Sequence, residues 1–83
     1  MRVQVRYFAS LRETIGVASE LVDTACDDVA GLRQQLIARG GVHAECLAMG
    51  RPVRVAVNKV MADDATRLPE GGEVAFFPPV TGG

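Results

Sequence analysis

The stretch "CDDVAGLRQQLIARGG", residues 26–41, is the one segment of this chain that reads cleanly as a helix. Val29, Leu32, Leu36 and Ile37 recur at helical spacing and share one face. Asp27 or Asp28 supplies an N-cap carboxylate suited to the helix dipole. Arg33 and Arg39 lie toward the other end, and Gly40-Gly41 offers a left-handed C-cap. Gly31 inside the helix costs about 1 kcal/mol relative to alanine. Packing must therefore hold this element together, and the missing Cβ suggests close approach to a sheet.

Outward from the helix the period changes to two. In "RVQVRYF", residues 2–8, Val3, Val5 and Tyr7 share one face, with Arg2, Gln4 and Arg6 opposite, as in a half-buried strand. "ASLRETIGV" breaks that pattern with a turn at Gly16, and "ASELVDTA" reads as a second strand in a hairpin with the first. Beyond the helix a loosely patterned connection leads to "RPVRVAVNKVMA", where Val53, Val55 and Val57 oppose Arg54, Ala56 and Asn58. Asn58-Lys59 bends the chain and makes Val60-Met61 a short separate strand. "DDATRLPEGG" is turn chemistry, and "EVAFF" is the last strand. The order β-β-α-β-β-β describes an α+β, ubiquitin-like β-grasp: a mixed sheet with one main helix packed across one face. Residues 1–77 form that domain, and residues 78–83 form a projecting tail.

Composition removes several function classes. A chain of 83 residues, 48% hydrophobic and 23% charged, is one small packed domain. Its net charge of −1 and lack of any basic run give nucleic acid no electrostatic footing. No apolar stretch approaches membrane-spanning length, and Met1 leads straight into a strand pattern, so a cytoplasmic protein is expected. Cys26 and Cys46 are then reduced thiols. With His43 the only histidine, no metal site is expected. Asp63-Asp64 reads as a turn and not as an acid/base pair, and Lys59 as a solvated charge.

The tail "FFPPVTGG" is the feature these bounds leave unexplained. Pro78 and Pro79 have no N–H and forbid further strand pairing, and Phe77 is held extended because a proline follows it. From Pro78 onward the chain can project roughly 20 Å at extended spacing, ending in a carboxylate. Gly82-Gly83 have no Cβ atoms and can enter a channel too narrow for other residues. Val74 and Phe76 share one parity in the last strand, and Ala75 and Phe77 the other. We place Phe76 beneath the helix and Phe77 on the opposite face, an assignment that alternation alone leaves reversible. Phe8 has the opposite parity to Val3, Val5 and Tyr7. With Met61 and Phe77 it would form an apolar docking patch near the root of the tail.

"EVAFFPPVTGG", "RYFASLRETIG", "VAVNKVMA" and "LPEGGEVAFFPP" together resemble the small, sulfur-carrying subunits of molybdopterin synthases. Departures are slight: Thr81 stands where serine is also common, and Gly72 where aspartate would be expected. The resemblance implies a sulfur carrier of molybdenum cofactor biosynthesis. An adenylyltransferase partner, using ATP and magnesium, would activate the Gly83 carboxylate, and a sulfur donor protein would convert it to a thiocarboxylate. The tail, with Gly82 easing access, would then deliver sulfur to cyclic pyranopterin monophosphate in the synthase large subunit, within a heterotetramer. The chain itself would bind no cofactor and supply no acid or base. Arg12 resembles the arginine of the family's "RE" loop and would, with Phe8, Met61, Phe77, Pro78 and Pro79, meet partners. A carrier for thiamine or tRNA thiolation, or a ubiquitin-like modifier, shares the diglycine chemistry.

Overall fold

Complete burial of Val3, Val5 and Tyr7 shows which face of the first strand is covered. The computed structural model describes residues 1–79. Its elements are β1 (Arg2–Tyr7), α1 (Ala9–Ile15), β2 (Ser19–Asp23), α2 (Val29–Ile37), α3 (Gly41–Leu47), β3 (Arg54–Val57), β4 (Val60–Ala62) and β5 (Glu73–Phe77). The strands form one five-stranded sheet in the order β2-β1-β5-β3-β4. β1 and β5 run parallel, and every other pair is antiparallel. The mixed sheet and main helix agree with the expected ubiquitin-like β-grasp.

Register carries the inner face across the sheet. Val5 pairs with Val74 and Tyr7 with Phe76, and Val55 and Val57 pair with Phe76 and Val74. These residues join Val29, Leu32 and Leu36 of α2 in a single core. Phe76 is 1% exposed, which assigns it to the core and Phe77 to the opposite face. Between β3 and β4, Asn58 and Lys59 both have positive φ, the geometry of a two-residue I′ hairpin turn.

The sequence pattern predicts one helix, and the described residues form three. α1 replaces the expected irregular turn: Leu11 enters the core, and Gly16 at φ 93° closes the helix by donating to the Arg12 carbonyl at 2.9 Å. α3 occupies the loosely patterned connection and buries only Cys46 and Leu47, too few positions for periodicity to reveal. α2 is capped by Asp28, which accepts from the Gly31 amide at 2.9 Å, and not by Asp27. Gly31 approaches Cys26 and not the sheet: a Cβ there would lie 2.8 Å from Cys26 Cβ and 3.0 Å from its Sγ.

Two charged residues hold the layers together. Arg33, only 5% exposed, belongs to the buried side of α2 and not to its polar face. Its guanidinium donates to the carbonyls of Leu47 and Ala48, both at 2.7 Å, and of Arg51 at 3.3 Å. Glu20 on β2 accepts from Tyr7 Oη at 2.8 Å and from Arg39, with His43 Nε2 at 3.2 Å. Burial alone would raise the Glu20 pKa, but hydrogen bonds from Arg39, Tyr7 and His43 outweigh it and hold the carboxyl below its usual range. Burial, reinforced by Glu20, pushes the Tyr7 phenol well above its ordinary value. Among the described residues no helix is long and apolar enough to cross a membrane.

Candidate functional site: the root of the tail

The last strand delivers the chain to one end of the sheet, and the site is built around that exit. β5 ends at Phe77, which pairs with Arg54 of β3, and Pro78 and Pro79 follow without regular structure, both half-buried. Gly82 and Gly83, on which the sulfur chemistry was placed, lie outside the described residues.

Phe8, Met61 and Phe77 lie on the face of the sheet away from the helices. Register places Phe8 beside Phe77, because Tyr7 pairs with Phe76 in the parallel ladder. Met61 stands on the same face, opposite Ala56, which in turn pairs with Ala75. Phe8 is 42% and Met61 58% exposed, whereas Phe77 is half-buried and less open than expected. The two alanines give this face a shallow floor between larger side chains. Arg6 lies 5.8 Å from the Phe8 ring centroid and pairs with Glu73 at 3.2 Å, so the apolar patch has a charged margin. Arg12 is exposed in the last turn of α1.

A cleft of about 260 Å³ opens at the other side of the tail's root, and the sequence reading missed it. Ser10, Leu11 and Thr14 of α1 form one wall, and Arg51, Pro52 and Val53 face them, with Pro78 and Pro79 completing the rim. Cys46, a free and buried thiol, lies at its base. Only the helical spacing of Leu11 and Ile15 ahead of Gly16 could have signalled this wall from sequence. Arg33 fixes the facing wall from below through the Arg51 carbonyl.

The arrangement presents a narrow, stiff exit flanked by an apolar sheet face and a cleft. It brings together Phe8, Phe77, Pro78 and Pro79, sets Met61 further along the same face, and leaves Arg12 at its edge. Among the described residues it forms an apolar sheet face and a cleft on either side of the chain's exit.

Comparison with known proteins bears on the family and the fold. The molybdopterin synthase sulfur carrier subunit of Escherichia coli (strain K12) is 38% identical over 81 residues, spanning 98% of this chain and 99% of that protein. The crystal structure of SAMP1 from Haloferax volcanii superposes with a TM-score of 0.79 at 25% identity, covering 100% of both chains. A chain in the protein–protein complex of subunits 1 and 2 of molybdopterin-converting factor from Helicobacter pylori 26695 gives 0.70 at 27% identity, again over 100% of both. The model of the ThiS family matches residues 5–83. The chain therefore belongs to the ThiS family, whose ubiquitin-like β-grasp fold it shares.

Proposed function

We propose that this chain is the sulfur-carrier subunit of a molybdopterin synthase, working in the cytoplasm with the Gly83 carboxylate as its reactive group. The observation that carries the reading is the likeness to the Escherichia coli sulfur carrier subunit along almost the whole of both chains. The exit at Phe77–Pro79 supports it, since a carrier must hold its terminus clear of its own sheet. Two free thiols agree with a reducing compartment.

In this reading a carboxylate too unreactive for acyl transfer is first activated by an adenylyltransferase partner. Gly83 attacks the α-phosphate of magnesium-bound ATP, giving an acyl-adenylate and pyrophosphate. A persulfide of a donor protein attacks the acyl carbon and expels AMP. A thiol reductant then cleaves the resulting acyl disulfide, leaving a thiocarboxylate on Gly83. The thiocarboxylate tail enters the large subunit, and its sulfur bonds to a carbon of cyclic pyranopterin monophosphate. Water then cleaves the acyl–sulfur bond to return the Gly83 carboxylate. A dithiolene holds two sulfurs, so two carriers serve each product, which suits a heterotetramer. The Phe8, Met61 and Phe77 face seats the large subunit, and the Helicobacter pylori complex of subunits 1 and 2 supports such pairing.

The test is co-expression with the candidate partners followed by intact-mass analysis. A fraction heavier by exchange of one oxygen for sulfur, mapping to the C-terminal peptide, is expected. One residue appended after Gly83 should abolish sulfur transfer and leave folding intact. Extra sulfur found only on Cys26 or Cys46 as a persulfide would overturn the reading. Recovery of the chain joined to a lysine of another protein would make it a modifier.

A further inference from the structure

The two ladders flanking β5 end at different prolines, and one of those prolines is not in the tail. On the β1 side, Gln4 donates to the Gly72 carbonyl at 2.8 Å and Phe8 to the Phe76 carbonyl at 3.1 Å. Parallel pairing alternates donors in steps of two, so the next bond would run from residue 78 to the Phe8 carbonyl. Residue 78 is proline. The Phe8 carbonyl instead accepts from Leu11 and Arg12 at 3.2 and 3.4 Å, in the first turn of α1.

On the β3 side, Asn58 donates to the Glu73 carbonyl at 2.8 Å, marking that pair as hydrogen-bonded. Alternation makes Ala56–Ala75 and Arg54–Phe77 the following bonded pairs. The next is residue 52 with residue 79, and both are proline. Neither can donate, although the Pro79 carbonyl could accept. Beyond Pro52 the Arg33 clamp on the Leu47, Ala48 and Arg51 carbonyls holds the chain out of strand geometry.

We propose that Pro52 is a positioning residue for the carrier tail: it denies β3 the one amide that would bind the Pro79 carbonyl and draw the tail into the sheet. Pro78 releases the tail from β1, Pro79 and Pro52 release it from β3, and each proline stands at the next missing donor of its ladder. The inference rests on the carrier reading for its purpose but on backbone pairing alone for its geometry.

Pro52→Ala restores the amide, at an exposed position where the substitution leaves the core untouched. That amide should be protected from hydrogen exchange by a bond to the Pro79 carbonyl. One such bond shifts the tail toward a captured state, so the KM for this chain as substrate of its adenylyltransferase should rise roughly 3- to 10-fold at unchanged kcat. A merely structural loss would lower the melting temperature without moving KM. Ligation of a synthetic 46–83 segment at Cys46 allows N-methylalanine at position 52, which has no N–H and should restore the original KM. Fast exchange of the amide introduced by Pro52→Ala, together with an unchanged KM, overturns the proposal, as does a raised KM that N-methylalanine fails to restore. If the unmodified chain is not adenylated at all, the carrier reading fails, and exchange of that new amide still decides the positioning role of Pro52.

Discussion

Phe76 and Phe77 are neighbours with opposite fates, and the difference is one of parity. Phe76 packs in the core beside Tyr7 and Val55, whereas Phe77 lies half-buried on the face that Phe8 shares. Phe76→Ala should cost about 3–5 kcal/mol of stability, and Phe77→Ala about 1 kcal/mol. Thermal melts beside a titration with the large subunit check this: the first variant should unfold early, and the second should fold but bind at least roughly tenfold more weakly. Alternation made the pair legible from sequence, but choosing between its members required the register of β5 against β1. Gly72 was legible only as a departure from aspartate. The structure explains it, because a Cβ there would collide with Pro69 Cγ and lie 3.0 Å from Asn58 Oδ1. Arg33 escaped altogether, since no local pattern distinguishes a guanidinium bathed in solvent from one that donates to three distant carbonyls.

At the scale of elements, the long periodic segments could be read and the short ones could not. α2 offers Val29, Leu32 and Leu36 to the core, whereas α1 offers Leu11, and α3 Cys46 and Leu47. Tertiary contact, and not propensity, makes helices of seven residues. Substitutions at two places test how the elements are joined. Gly31→Ala would ordinarily favour α2 by about 1 kcal/mol. Here its methyl meets Cys26 Cβ at 2.8 Å, so we expect a loss of about 1–3 kcal/mol. Pairing it with Cys26→Gly should recover much of that loss in a double-mutant cycle, and a stabilised Gly31→Ala single variant would contradict the packing. Lys59→Gly works in the other direction. Lys59 sits at φ 68° in the I′ turn, where glycine carries no Cβ penalty, so β3–β4 should gain about 1 kcal/mol by chemical denaturation.

For the whole molecule, the Tyr7–Glu20–His43–Arg39 cluster couples β1, β2, α3 and the segment after α2, and it gives stability a defined pH window. Hydrogen bonds overcome burial to depress Glu20 below its ordinary value of 4.5, so in acid the unfolded chain binds the proton more readily than the folded one. That contribution is complete above about pH 4.5 and is lost as pH falls through the folded-state value. Tyr7 behaves oppositely. Its raised pKa means the folded chain keeps the phenolic proton when the unfolded chain releases it, so stability declines above its ordinary 10.0. Denaturant unfolding across pH should therefore show a plateau with falling limbs on both sides. Glu20→Gln removes the charge that three donors address, and should cost about 1–2 kcal/mol near neutral pH. It should also flatten the acid limb, because residue 20 no longer titrates. Tyr7→Phe should flatten the alkaline limb while leaving part of the acid limb in place, since Arg39 and His43 still face Glu20. His43 packs edge-on against the Tyr7 ring, centroids 6.0 Å apart, so loss of this cluster would loosen α3 from the sheet. α3 supplies Cys46 at the base of the cleft beside Pro78 and Pro79, so acid should loosen the tail's root before the sheet melts. Hydrogen exchange at about pH 4, just below the ordinary Glu20 value, should open Cys46 and Leu47 ahead of Val5 and Val74. Simultaneous opening would show that the cluster stabilises the fold only as a whole.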